Sequence, residues 1–140
     1  MNKQEELFAA IKVSDLVKVE ELISEGADVN IRDEYGYAPL MRATWLGSLE
    51  IVSYLVSEGA DVNIRDEYGG TSLMRASWLG YLDILKYLIS KGADVNSRDN
   101  TGRTALRYTN NRRSNLHIFK YLRAEELKKE LVDKGVSFEG

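Results

Sequence analysis

Apolar and polar positions in the middle of the chain alternate with the period of a helix. In residues 49–58, Leu49, Val52, Leu55 and Val56 fall on one side of a helical projection, and Glu50, Ser53 and Ser57 fall on the other. A shorter helix is predicted just before it. Pro39 suits a first helical turn, where a missing N–H costs nothing, and Gly47 stops the helix after Leu46. At about 100° per residue from Leu40, Ala43 and Thr44 lie beside the leucine, whereas Trp45 falls about 140° away and Arg42 about 200° away. An arginine turned into the core would lose its hydration, so the side shared by Arg42 and Trp45 is expected to be partly wet. Ahead of this helix, Asp33-Glu34-Tyr35-Gly36 reads as a turn in which Asp33 accepts local backbone bonds and Gly36 takes a positive φ. Gly59 and Gly92 read as C-terminal caps of the longer helices.

The same pattern returns 33 residues later. GADVN begins at residues 26, 59 and 92, and residues 33–65 align without a gap on 66–98 with 22 of 33 positions identical. The copied long helix keeps its phase, with Asp83, Lys86 and Ser90 on the polar side. Repetition at this length means stacked units, none able to bury its own apolar face alone, joined into a solenoid. The stretches YGYAPLMRATWLGSLEIVSYLVSEGADVN and YGGTSLMRASWLGYLDILKYLISKGADVN resemble ankyrin repeats, in period, in the central Gly-x-Leu and in the terminal GADVN. The resemblance implies an all-α ankyrin-repeat solenoid of helix–turn–helix units, with at most short β-hairpins at the turns. One domain is expected over residues 1–140: an N-terminal capping repeat at 1–32, repeats at 33–65 and 66–98, and a divergent final repeat with an extended cap at 99–140.

The chain also departs from that pattern. Where the family carries histidine stand Met41, Met74 and Arg107; Ala38 replaces its threonine, and Ser72 and Ala105 its proline. A weaker polar ladder between neighbouring turns, exchanged for methionine packing, is the expectation. Near the end the period slips. Tyr54-Leu55 returns as Tyr121-Leu122, and LVSEG at residue 55 returns as LVDKG at residue 131. The excess centres on RAEELKKE and either lengthens the last helix or adds a short one.

Composition narrows the function. Of 140 residues, 44 % are hydrophobic and 29 % charged, the balance of one globular domain, and no cysteine is present to build a disulfide, a thiolate nucleophile or a cysteine zinc site. No apolar run is long enough for a signal peptide or a membrane span, so a cytoplasmic protein that does not enter a membrane is expected. The net charge of −3 conceals an asymmetry: residues 1–70 hold 6 Lys+Arg against 14 Asp+Glu, net −8, and residues 71–140 hold 13 against 8, net +5. Such a dipole along the chain can orient a partner or favour weak head-to-tail association of an otherwise monomeric protein.

Candidate chemistry is sparse. His117 is the lone histidine and occupies the place of Glu50 and Asp83 on a polar helix side, without evident triad or metal partners. Asp28, Asp61 and Asp94, with Asn30, Asn63 and Asn96, repeat one per unit. Stacked units lie about 10 Å apart, too far for one ion to be shared, so these residues are expected to bond within their own turns. No enzyme activity, cofactor or metal is expected.

The resemblance implies a concave surface that binds a protein partner. Carried over by position, it comprises Glu34, Tyr35, Tyr37, Arg42, Trp45 and Leu46, then Glu67, Tyr68, Arg75, Trp78 and Leu79, with Arg103, Asn111 and Arg112 extending it. Tyr, Trp and Arg are the types that dominate interface energetics. The tryptophans can alternatively serve the solenoid itself, Trp45 stacking on Arg42 and on Trp78. Arg98, Arg103, Arg107, Arg112 and Arg113 form a second, basic patch suited to phosphates or an acidic protein, although a pI near 5.3 argues against nucleic acid. A regulatory fragment of a larger enzyme is the other alternative.

Overall fold

The computed structural model describes residues 1–109 and 115–137. Among the described residues seven α-helices and a short 3₁₀ turn follow in order: α1 (Lys3–Lys12), α2 (Leu16–Ser24), α3 (Pro39–Leu46), α4 (Leu49–Ser57), α5 (Ser72–Leu79), α6 (Leu82–Ser90), the 3₁₀ turn Ala105–Tyr108, and α7 (Leu116–Asp133). Among the described residues there is no strand.

Each helix pair is set by local chemistry. Pro39 occupies the first turn of α3, and Gly47 closes that helix in the left-handed region at φ 74°. A side chain at Gly47 would also press on the Tyr81 ring, which packs there from the next repeat. Side-chain oxygens of Asp15, Ser48 and Thr71 accept backbone N–H bonds at the starts of α2, α4 and α5. After the longer helices a recurring cap appears: the Ala60 amide donates to the Leu55 carbonyl and the Ala93 amide to that of Leu88, each at 2.9 Å.

Packing places the helices in two rows. In one, α3 packs against both α1 and α5, and α5 against the 3₁₀ turn; in the other, α4 packs against α2 and α6, and α6 against α7. The core between them holds Leu7, Ile11, Leu22, Leu40, Ile51, Leu55, Leu73, Leu85 and Leu88, all essentially inaccessible. Burying a leucine or isoleucine of this kind stabilises by about 1.5–3 kcal/mol, which is what holds units that cannot stand alone. One inward assignment fails. Leu49 is exposed, and Ile51 takes its place beside Val52 and Leu55. Leu49 opens α4, two residues before the buried positions begin at Ile51.

Met41 and Met74 are buried, in keeping with methionine packing at the family's histidine positions. The turns are nonetheless tied by polar groups from elsewhere. Asn30 donates to the Gly59 carbonyl at 3.1 Å and accepts the Asp61 amide at 2.9 Å; Asn63 repeats both bonds with Gly92 at 3.0 Å and Asp94 at 2.8 Å. The Arg32 guanidinium donates to the Arg65 carbonyl, and that of Arg65 to the Arg98 carbonyl. Asp28, Asp61 and Asp94 each accept the amide two residues on at 2.9 Å, the turn role expected of them.

The end of the chain resolves the slipped period. Residues 123–130 lie inside α7, whose 18 residues continue unbroken, so the insertion lengthens the helix. The cap then reappears, with Gly135 at φ 86° and the Val136 amide donating to the Leu131 carbonyl. The partner of α7 is reduced. Where the two preceding repeats have an eight-residue helix, this one has the single turn Ala105–Tyr108.

A candidate partner-binding face

The turn ahead of α3 is built around one carboxylate. Asp33 accepts the Tyr35 and Tyr37 amides, each at 2.9 Å, on one oxygen, and on the other it receives Nε and Nη2 of Arg42 at 2.9 and 2.6 Å. Burial alone would push this carboxyl up. The bonds from Tyr37, Arg42 and Tyr35 outweigh burial and hold it below the usual carboxylate range. Asp66 repeats the arrangement, taking the Tyr68 and Gly70 amides at 2.8 Å and Arg75 at 2.9 Å. In the third turn Asp99 takes Arg103 Nε at 3.0 Å together with the Tyr108 hydroxyl.

Each aspartate therefore has a side-chain donor nine residues on: Arg42, Arg75, Tyr108. In the third unit the two residue types have changed places, since Arg103 stands where the first repeat has Tyr37 and Tyr108 where it has Arg42. The Arg103 guanidinium lies 4.8 Å from the Tyr108 ring. Asp99 is held well below the usual range despite its burial, by bonds from Tyr108, Arg103 and Thr101. Burial, together with donation to Asp99, raises the Tyr108 hydroxyl in turn.

These ion pairs fix where the aromatic rings lie. Tyr37 meets Trp45 edge to face, centroids 5.9 Å apart at 85°. The Arg42 guanidinium is 4.6 Å from Tyr37 and 5.8 Å from Trp45; that of Arg75, from the next repeat, is 5.0 and 4.6 Å from the same rings. Two guanidiniums thus each lie close to both aromatic rings, with each positive charge balanced by an aspartate. The anticipated Trp45 to Trp78 stack is replaced by this cluster. Gly70 occupies the Tyr37 position in the second repeat and gives Arg75 no ring of its own, so Arg75 rests on the rings of the first.

The repeated tryptophans consequently differ. Trp45, 38 % exposed, is held by three neighbours, whereas Trp78 is 49 % exposed and, among the described residues, enters no ring, cation–π or hydrogen-bond contact. Tyr35, Tyr68, Leu46, Glu34 and Glu67 are also exposed, and Leu79 is half-buried. Arg42 and Arg75 are partly buried and committed to their aspartates. Arg103 is exposed but paired to Asp99. Asn111 and Arg112 lie outside the described residues, as does Arg113; of the basic patch, Arg98 and Arg107 are exposed.

One feature of this face escaped the sequence reading. A groove of about 800 Å³ runs between α1 and the first repeat, lined by Glu5, Phe8, Ala9 and Lys12 on one side and Tyr35, Arg42, Trp45 and Leu46 on the other. The available signal was Phe8, an apolar residue outside the buried phase of Leu7, Ala10 and Ile11.

Comparison with known families agrees with this architecture. A model of ankyrin repeats in three copies matches residues 7–99, and a model of ankyrin repeats in many copies matches residues 79–123. The chain belongs to the ankyrin-repeat family. No curated protein matches it. Ankyrin repeats are a generic protein–protein interaction module and typically not enzymes. His117 is exposed on α7, and no group of His, Asp or Glu able to hold a metal occurs among the described residues. No described helix is long and apolar enough to cross a membrane.

Proposed function

We propose that this ankyrin chain is a non-enzymatic binding module that takes a protein partner on the concave face formed by its turn tips and by α1, α3 and α5. The observation that carries this reading is the exposed row of Tyr35, Leu46, Tyr68 and Trp78 beside a groove floored by Phe8 and Trp45. Large, rigid apolar groups of this kind form the anchors of protein interfaces, and charged residues that are already paired supply their rim. The cluster of Arg42, Tyr37, Arg75 and Trp45 acts as a preformed platform, so a partner orders little on binding. Arg103 is engaged with Asp99, which supports a protein partner over a phosphate-bearing one.

The test compares affinity capture of cellular proteins by the wild type and by Trp78→Ala, each verified as folded by circular dichroism. A partner retained by the wild type and lost from the variant supports the reading. Equal recovery of every captured protein by Trp78→Ala and by a Tyr68→Ala/Leu46→Ala variant sinks it.

A further inference from the structure

Three turns open on the same Arg-Asp pair, and the third differs from the others in charge. The stretches 32–42 and 65–75 each hold two arginines against one aspartate and one glutamate; 98–108 holds three arginines against Asp99 alone, with Asn100 in the place of Glu34 and Glu67. Asp99 cannot neutralise all three. Its oxygens already take the Thr101 and Arg103 amides, the Thr101 hydroxyl, Arg103 Nε and the Tyr108 hydroxyl. The bond from Tyr108 to Asp99 draws residues 107–108 to residues 98–99, so Arg98 and Arg107 flank one turn, both exposed and neither ion-paired among the described residues. Neighbouring acids are engaged elsewhere: Glu67 lies over Gly36 in the first repeat, and Asp94 pairs with Lys129 at 3.5 Å. The bridging groups of this turn are idle as well. Arg32 and Arg65 spend their guanidiniums on the Arg65 and Arg98 carbonyls, and Asn30 and Asn63 each exchange two bonds with the main chain of the following turn. Arg98 and Asn96, third in the two series, make no side-chain hydrogen bond among the described residues.

We propose that the third turn receives an extended, acidic segment of a partner protein. The guanidiniums of Arg98 and Arg107 meet its carboxylates, and Asn96 exchanges with its main chain the pair of bonds that Asn30 and Asn63 make within the stack. That amide selects a polypeptide over a phosphate chain, because ionised phosphate supplies no N–H for the Asn96 oxygen to accept. The contact uses neither Trp78 nor the Phe8 groove, so it adds to the concave face a second point of recognition with its own chemistry.

Fluorescence anisotropy of a labelled peptide of alternating Glu and Gly, titrated with the whole chain, tests this. Saturable binding is expected at low salt and should weaken as salt screens the contact; a peptide of alternating Gln and Gly should not bind. Arg98→Gln and Arg107→Gln, at exposed positions without partners, should each weaken binding about two- to fivefold, the range of an exposed ion pair. Asn96→Ala should weaken the peptide and leave binding of inorganic polyphosphate, the phosphate probe, as it was. Lys18→Gln, an equal change of net charge on α2, and Trp78→Ala should leave peptide binding unchanged. Absence of saturable binding overturns the proposal. So does equal binding of the Gln and Gly peptide, full affinity in either arginine variant or in Asn96→Ala, polyphosphate binding tighter than the peptide, or an equal loss in Lys18→Gln. Loss of the peptide in Trp78→Ala overturns it too, by moving the contact to the concave face.

Discussion

Trp45 and Trp78 occupy equivalent places in nearly identical sequence, yet their neighbours give them different work. Truncating Trp45 removes two guanidinium contacts and an edge-to-face contact, and Trp45→Ala is expected to lose about 1–3 kcal/mol in urea denaturation. Trp78→Ala should change stability by less than about 0.5 kcal/mol, as at an ordinary surface position; equal losses in the two variants would contradict the division of roles. The sequence placed both residues away from the core but did not separate them, because the difference originates in Gly70, eight residues before Trp78, and in the reach of Arg75 back to the previous repeat. The turn aspartates carry the pH dependence. Asp33 and Asp99 have depressed carboxyls, so the unfolded chain takes up protons first as pH falls from about 5, and the stability these groups supply is lost through and below that window. Asp99→Asn should be less stable than the wild type at pH 7 but lose less between pH 7 and pH 3, measured as the shift in urea midpoint.

Comparison of one helix with its copy gives a test at the scale of elements. Pro39 begins α3, whereas Ser72 begins α5, buried and with a hydroxyl that has no hydrogen-bond partner among the described residues. Ser72→Pro removes that orphan and pre-sets the backbone in a position where proline already serves the neighbouring repeat. It is expected to stabilise the protein by about 0.5–1 kcal/mol, read from the thermal midpoint; a lower midpoint would show that the two helix starts are not interchangeable. Helix starts, stops and caps were legible because each depends on a few consecutive residues. The shrinkage of the last short helix to Ala105–Tyr108 was less so, although Arg103 and Tyr108 had already exchanged types in the sequence. Their meaning emerges only once Tyr108 is seen to donate to Asp99 in place of an arginine.

Across the whole molecule, stability passes from unit to unit through apolar seams and through the Asn30 and Asn63 bridges. Asn63→Ala should cost about 1 kcal/mol. Hydrogen exchange should quicken at the Asp94 amide and through α6 more than in α1 and α2; uniform acceleration would indicate one indivisible cooperative unit instead. Such bridges join residues 29 and 31 apart, and the GADVN repeat alone gave the turn role of Asp61 without the neighbour that Asn30 supplies. The groove at Phe8 has the same character, since α1 meets Trp45 only after the chain has folded back across α2. The sequence by itself determined the period, the helices, the turns, the left-handed glycines and the wet side of α3, because these follow from steric and hydrogen-bonding rules acting over a few residues and from periodic burial. The tertiary structure decided which ring lies over which guanidinium, that Trp45 is the tryptophan so held, and that α7 runs unbroken. Those outcomes depend on side chains about one repeat apart competing for the same space, and only the packed stack brings them together.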